Sequence, residues 1–537
     1  MPQSVVGSVA AGETPALQVR CRRGRLRYRY NTPMSTVVLC TINARYVHAS
    51  LGLRYLAANM GELRTQTDIV EFVLGARAAE MAEQLLARRP RIIGLGVYIW
   101  NIEETTRVVA HLKAVAPEVI LVLGGPEVSY ETESQRICDL ADYVVTGWGD
   151  LAFAALCRRL LAAEPPADKI VAGGQPALAD VRLPYAEFTE EDLARRFVYV
   201  EASRGCPFKC EFCLSSLDKT AWAFDLDAFV AELAVLHARG ARHFRFVDRT
   251  FNLKAAAGLR ILEFFLERLD ERLFVHFEVI PDHLPEKLKA AIARFPPGSL
   301  QFEVGIQTWN PQVQSLISRK QDNARSEENL RWLRRESNAL IHVDLIAGLP
   351  GEDLESFGHG FDRLYAIAPH EIQVGILKRL RGTPIARHTE ACGMRYNPDP
   401  PYNVLQTGCI GFHDMQRISR FARYWDMVGN SGRFRRGLAL LAGEAPFTRF
   451  MQFSDWLYAS TSKTHEIALE RLYEHVHAFM TRELGLAAEA VAQALLADYE
   501  ASGARGRLSF MPERVTRSPR PSGKTDRGAL RQARHLR

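Results

Sequence analysis

The chain has 537 residues, enough for about three domains, and its 47% hydrophobic and 24% charged residues suit an ordinary globular protein. No stretch approaches the roughly 20 apolar residues that a membrane-spanning helix requires, which argues against a membrane role. The net charge of +6 lies at the ends: six Arg stand against Glu13 in residues 1–33, and ten Lys/Arg against Glu513 and Asp526 in residues 505–537.

Those Pro/Gly/Arg-rich ends, residues 1–33 and 504–537, read as disordered basic extensions and not as the folded basic face of a nucleic-acid binder. The first expected strand starts just after Met34, so residues 1–33 read as an extension ahead of the true start. Nine cysteines, an odd number without disulfide spacing, suit a reducing cytoplasm.

In chain order, strands are expected at Val37–Thr41, Asp68–Val73, Arg91–Tyr98, Val119–Leu123 and Tyr143–Val145, with a helix near Leu51–Met60. Short apolar strands alternating with helices predict a parallel, doubly wound, Rossmann-like α/β domain over 34–162, whose crevice opens at the strands' carboxyl ends. Residues 163–195 read as a linker with one short hairpin around Gly173-Gly174. A second alternation follows over 196–384, with strands expected at 197–201, 243–247, 274–279, 300–305, 341–346 and 371–377. One helix is expected from the N-cap Asp225 to Gly240, with Leu226, Phe229, Val230, Leu233 and Leu236 on one face. Six β/α units make a partial barrel. Residues 385–503 read as mostly helical, with Tyr402, Phe412, His413 and Trp425 as candidates for either pocket lining or helix core.

The most informative run is Glu201-Ala-Ser-Arg-Gly-Cys-Pro-Phe-Lys-Cys-Glu-Phe-Cys-Leu214. Cys206, Cys210 and Cys213 have the spacing C-x3-C-x2-C and follow a strand. Three thiolates are one short of the four that usually complete an iron–sulfur cluster, so one iron would stay open to a small molecule. A zinc site is the alternative, but zinc wants four protein ligands, and no fourth Cys or His lies near in sequence.

With Phe212 before the last cysteine, this motif resembles that of the cobalamin-dependent radical S-adenosylmethionine (SAM) enzymes. The resemblance spans residues 35–380. It includes Phe246-Val-Asp-Arg-Thr-Phe-Asn252, Glu303-Val-Gly-Ile-Gln307, Asp344-Leu-Ile-Ala-Gly-Leu-Pro-Gly-Glu352 and Gly375-Ile-Leu-Lys-Arg-Leu-Arg-Gly-Thr-Pro384. It implies a 4Fe–4S cluster on the three cysteines, SAM chelated to the open iron, and reductive cleavage of SAM to a 5′-deoxyadenosyl radical. A low-potential donor such as flavodoxin or ferredoxin would supply the electron, and the cofactors carry the hard chemistry.

The resemblance also suggests contacts. Phe212 neighbours the cluster. Asp248 and Arg249 would face the methionine part of SAM. Glu278 would bind a ribose hydroxyl or pair with an Arg, and Gln307 and Arg319 would reach ribose or carboxylate. Gly348 and Gly351 would let the backbone approach adenine. The N-terminal domain would bind cobalamin with the loops that end its strands: Asn43, Arg45, Tyr46 and His48; Tyr98 and Trp100; Gly124, Gly125, Pro126 and Glu127; Gly147, Trp148 and Gly149. The D-x-H-x-x-G loop that offers a lower cobalt ligand in many cobalamin proteins is missing. His48 therefore reads as a polar contact, and Tyr98 or Trp100 as a cover for an unligated lower face.

The reaction implied most directly is methyl transfer to an unactivated carbon of a small-molecule substrate. Radical cyclisation or rearrangement is an alternative. A methylthiotransferase would need a second cluster among the scattered Cys40, Cys138 and Cys157. A cofactor carrier or chaperone, and a cobalamin-based sensor, are non-catalytic alternatives.

Overall fold

The computed structural model describes residues 34–511 together with Arg531, Arg534 and His535; the basic extension expected over 1–33, and residues 512–530, 532, 533, 536 and 537, lie outside the described residues. Strand β1 (Val37–Asn43) is buried along its whole length, as expected of an apolar run covered on both faces. It pairs in parallel with β2 (Thr67–Val73) on one side and β3 (Ile92–Gly96) on the other. β4 (Ile120–Gly124) and β5 (Tyr143–Thr146) continue the sheet, giving the order 2-1-3-4-5 of a doubly wound domain.

Helices 51–58 and 152–161 cover one face, and helices 78–86, 102–115 and 136–140 cover the other. Gly94 is what lets helix 152–161 sit close, because an added Cβ there would meet the Phe153 ring at 2.6 Å. The hairpin expected at Gly173-Gly174 is replaced by β6 (Ile170–Ala172), a sixth parallel strand beside β5. A short, largely exposed edge strand carries too little apolar pattern to announce itself.

The second sheet begins with β7 (Val198–Val200). A small antiparallel hairpin follows, β8 (Ser203–Gly205) with β9 (Ala221–Ala223). The barrel strands are then β10 (His243–Phe246), β11 (Phe274–Val279), β12 (Leu300–Gln307), β13 (Leu340–Ala347) and β14 (Glu371–Ile376). All pair in parallel in the order 7-10-11-12-13-14, a six-stranded open barrel. Apolar and polar residues alternate along β12 and β13, and the buried apolar set packs in the main core. Between β7 and β10, helix 226–238 starts as expected, with the Asp225 carboxylate accepting from Ala228 N at 2.7 Å.

A second hairpin, β15 (Arg395–Tyr396) with β16 (Val404–Gln406), leads into the helices 412–428, 435–442, 446–461, 469–482 and 488–501. Trp425 lies in their core, 4.8 Å from Phe361 of the barrel helix 354–367 and 4.9 Å from Phe450. Phe412 and His413 lie on the surface. The C-terminal residues expected to be solvated are partly packed: Leu508 is buried, and Arg531 Nε donates to Glu371 Oε1 at 2.7 Å.

Candidate functional site: two adjoining cavities

The cysteine run leaves β7 and turns through β8. Asp248, at the end of β10, holds that turn. Its buried carboxylate accepts from Ala202 N at 2.9 Å and from Ser203 Oγ at 2.6 Å, and burial pushes its pKa up to about 7. Asp248 thus braces the loop and does not line the cavity beyond it.

That cavity, of about 250 Å³, is lined by Cys206, Cys210, Cys213, Phe212, Arg249, Glu278, Gln307 and Arg319, so most residues expected around cluster and SAM face one space. Among the described residues no three His, Cys, Asp or Glu gather tightly enough to hold a single metal ion. Thiols spaced around a shared cavity instead suit a cubane, in which each cysteine binds a different iron. Arg319 Nη1 lies 3.5 Å from Cys210 Sγ. Arg249 forms a two-pronged pair with Glu278 at 2.6 and 2.8 Å, the structural alternative anticipated for that carboxylate.

Gln307 has a left-handed backbone (φ 69°) where β12 shifts register, and its buried Oε1 has no protein partner. An orphaned acceptor on strained backbone fits a site built for a polar ligand such as SAM. Gly348 and Gly351 lie elsewhere. A Cβ at Gly348 would meet Val404 at 2.5 Å, and one at Gly351 would meet Leu316 at 2.8 Å, so both serve packing.

Glu303 and Asp344, which open two of the family-like runs but were given no contact role there, also line this cavity. Burial and the neighbouring Glu303 push Asp344 well up. Glu303 is held low despite its burial by a hydrogen bond from His276 and the nearby His342.

The second cavity, about 290 Å³, opens at the carboxyl ends of β3, β4 and β5. Tyr98, Gly124, Gly125, Gly147, Trp148 and Gly149, all expected cobalamin contacts, line it. A Cβ at Gly124 or Gly147 would meet protein only at 3.6 or 3.8 Å, so side chains there would fill the cavity. This bare glycine wall fits the close approach of a large flat ligand such as cobalamin.

The other expected contacts have structural partners instead. Asn43 donates to His48 O and Glu71 Oε1, both at 2.9 Å. His48 Nδ1 lies 2.7 Å from Tyr199 OH in the barrel. Tyr46 donates to Glu191 and lies under Arg196, while Arg45 is exposed. Trp100 stacks on Tyr98 at 4.4 Å and does not line the cavity. Glu127, following Pro126, is buried against Arg381 and Tyr402. Apart from the Asn43–His48 and Tyr98–Trp100 contacts, these partners lie far along the chain, so local sequence could not reveal them.

Arg204 ties the cysteine loop to the N-terminal domain. It lines the glycine-walled cavity and stands two residues before Cys206. Its guanidinium pairs bidentately with Asp150 at 2.8 and 3.0 Å, binds Glu201 at 2.7 Å, and lies over the Tyr55 ring at 4.3 Å. Its place next to Gly205-Cys206 was the available signal.

Three stretches of the chain match known protein families. Residues 37–157 match the B12 binding domain, 200–364 the Radical SAM superfamily, and 390–533 a protein family of unknown function, DUF4080. The chain is 26% identical over 331 residues to the uncharacterized methyltransferase PH0819 of Pyrococcus horikoshii, covering 57% of this chain and 70% of that protein. It is 24% identical over 352 residues to the cobalamin-dependent radical SAM methyltransferase TokK of Streptomyces tokunonensis, covering 57% of this chain but only 49% of TokK. Its fold is similar to the radical SAM methyltransferase TsrM of Kitasatospora setae, solved with cobalamin and a 4Fe–4S cluster (TM-score 0.55, 18% identity, 69% of this chain and 82% of that one).

A doubly wound cobalamin-type domain joined to an open six-stranded barrel with three cysteines defines an enzyme that works with two cofactor sites. The chain carries a B12 binding domain at 37–157 and a radical SAM domain at 200–364, whose cofactors are cobalamin and a 4Fe–4S cluster with SAM.

Proposed function

We propose that the chain transfers a methyl group to an unactivated carbon of a small-molecule substrate. The observation that carries this reading is Arg204, which walls the glycine-lined cavity, pairs with Asp150 of the N-terminal domain and stands two residues before Cys206, so the chain passes directly from one expected cofactor site to the other. The relatives named as methyltransferases support the same reaction. When bound, the cofactors supply a hydrogen-abstracting radical and a transferable methyl group.

The chain's own residues do the rest. Cys206, Cys210 and Cys213 would hold the cluster. Arg249, Glu278 and Gln307 would orient SAM, and the Gly124–Gly125 and Gly147–Gly149 walls would seat the corrin. Phe208 and Phe212 in the cavity wall help to exclude water. A low-potential flavodoxin or ferredoxin would deliver the electron, and the cytoplasm suits such chemistry. No helix among the described residues is long and apolar enough to cross a membrane. Cys40 and Cys138 lie in the core on one face of the sheet and Cys157 on the other, which weighs against the second cluster of a methylthiotransferase.

Anaerobic incubation with SAM, cobalamin, reductant and candidate substrates tests the proposal. 5′-Deoxyadenosine and S-adenosylhomocysteine should appear together. Deoxyadenosine alone would favour cyclisation or rearrangement, and neither product would favour a carrier. Cys210→Ala should abolish the cluster's charge-transfer absorption and deoxyadenosine formation while keeping cobalamin binding.

A further inference from the structure

Cys392 and Cys409 flank the β15–β16 hairpin, outside both cavities. Beyond the last paired residues of that hairpin its two arms still run side by side. Gly408 N donates to Cys392 O at 2.7 Å, and a Cβ added at Gly393 would lie 3.4 Å from the Gly408 backbone. No side chain stands between the arms there, because a glycine adjoins each cysteine on the facing side. Facing Cα atoms at such contacts lie about 4.5–5.5 Å apart, and each cysteine is the residue next to the facing glycine on its arm, which brings the pair near the span a disulfide bridges.

The two thiols also differ from the remaining non-cluster ones among the described residues. Burial pushes Cys40 and Cys157 up to about 12 and Cys138 up to about 11, which leaves them inert. Cys409 is exposed and Cys392 half-buried; burial and, after it, the neighbouring Cys409 raise the Cys392 thiol.

The hairpin is a strap between domains. Arg379 N, just past β14, donates to Tyr402 O at 3.0 Å, and Tyr402 OH donates to Glu127 Oε1 of the N-terminal domain at 2.8 Å. We propose that Cys392 and Cys409 form a reversible disulfide, made by exchange with a small disulfide of the glutathione class, that staples this strap. The exposed Cys409 thiolate attacks the small disulfide and expels one thiolate. The Cys392 thiolate then attacks the mixed disulfide at the Cys409 sulfur and expels the second. Two protein thiols lose two electrons and two protons, and one glutathione disulfide becomes two glutathione thiols.

The test uses the full-length protein, reconstituted anaerobically with cluster and cobalamin, exposed to oxidised glutathione, alkylated and digested with trypsin. Cleavage after Arg387, Arg395 and Arg417 places the two cysteines in separate peptides, 388–395 and 396–417. A linked pair of these peptides, split by dithiothreitol and lost in both Cys392→Ser and Cys409→Ser, is expected. Oxidation should also slow amide exchange in residues 396–406 about fivefold or more in the wild type and not in Cys409→Ser. Glutathione on Cys409 without the linked pair would overturn the disulfide. A linked pair with unchanged exchange would overturn the staple. Either result would leave the proposed methyl transfer untouched.

Discussion

The carboxylate of Glu211 accepts a hydrogen bond from His388 Nε2 at 2.8 Å, so a residue lodged between two cluster cysteines is held from beyond the last barrel strand. Ser318 Oγ donates to the same carboxylate at 2.5 Å, and Arg387 pairs with it. Glu211 N and O also bond to Ile317 O and Ile385 N. A buried carboxylate with this many donors fixes the loop from two sides. Glu211→Ala leaves the buried His388 and the half-buried Ser318 without their acceptor. The expected cost is about 3 kcal/mol of stability, with incomplete cluster loading. Thermal unfolding together with iron counted per chain checks this; a variant with wild-type midpoint and iron content would refute it.

Arg319 should tune the cluster, because its guanidinium lies 3.5 Å from Cys210 Sγ. A positive donor at a cluster sulfur favours the reduced, more negative state. Arg319→Gln is therefore expected to lower the reduction potential by an amount on the order of tens of millivolts, the sense in which hydrogen bonds and charge act on such clusters. Spectroelectrochemistry of the reconstituted protein reads it, and an unchanged or raised potential counts against this role.

The cobalamin wall can be tested without touching the cluster. A Cβ at Gly124 has ordinary room, and its backbone is not left-handed, so Gly124→Leu should fold while its side chain fills the cavity. Cobalamin affinity should fall at least about tenfold, a loss of about 1.4 kcal/mol or more, with iron content unchanged. Titration followed by visible absorption measures it. Undiminished affinity would move the corrin elsewhere. In the wild type, the cob(II)alamin EPR spectrum should lack hyperfine structure from a protein histidine, since no histidine lines the cavity and His48 faces Tyr199.

The sequence made the barrel legible because its strands are apolar runs bounded by polar loops. β11 lies at 274–279 as read, and Asp225 caps its helix as expected. The cavity-facing glycines were also visible, since they end strands of a doubly wound sheet. What stayed hidden depends on partners far along the chain. Asn43 and His48 looked like ligand contacts because they end β1, but Glu71 and Tyr199 engage them. Glu127 ends in the grip of Arg381, 254 residues away. Glu303 and Asp344 alternate with apolar neighbours as any strand residues do, and only closure of the sheet turns them toward one cavity.

Asp248 gives the protein a dependence on pH that can be separated from the rest. Its carboxyl has an ordinary pKa near 3.8, raised to about 7 in the fold by burial, with Glu201 acting in the same sense. Between these values the folded state holds a proton that the unfolded chain has released. Stability should therefore fall as pH rises from about 4 to 7, by up to about 1.4 kcal/mol per unit from this group. Below pH 4 the group is protonated in both states and contributes no slope. Asp248→Asn keeps a neutral side chain of the same shape. Its carbonyl can accept from Ala202 N, and the Ser203 hydroxyl can turn to accept from the amide. Glu352, also raised to about 7, titrates alike in both proteins and cancels from their difference. The variant should thus gain stability over the wild type as pH rises toward 7, then hold a constant advantage. Unfolding midpoints measured at pH 5, 6, 7 and 8 decide it. Parallel profiles would mean that Asp248 is ionised throughout, and that it braces the cysteine loop as a charge.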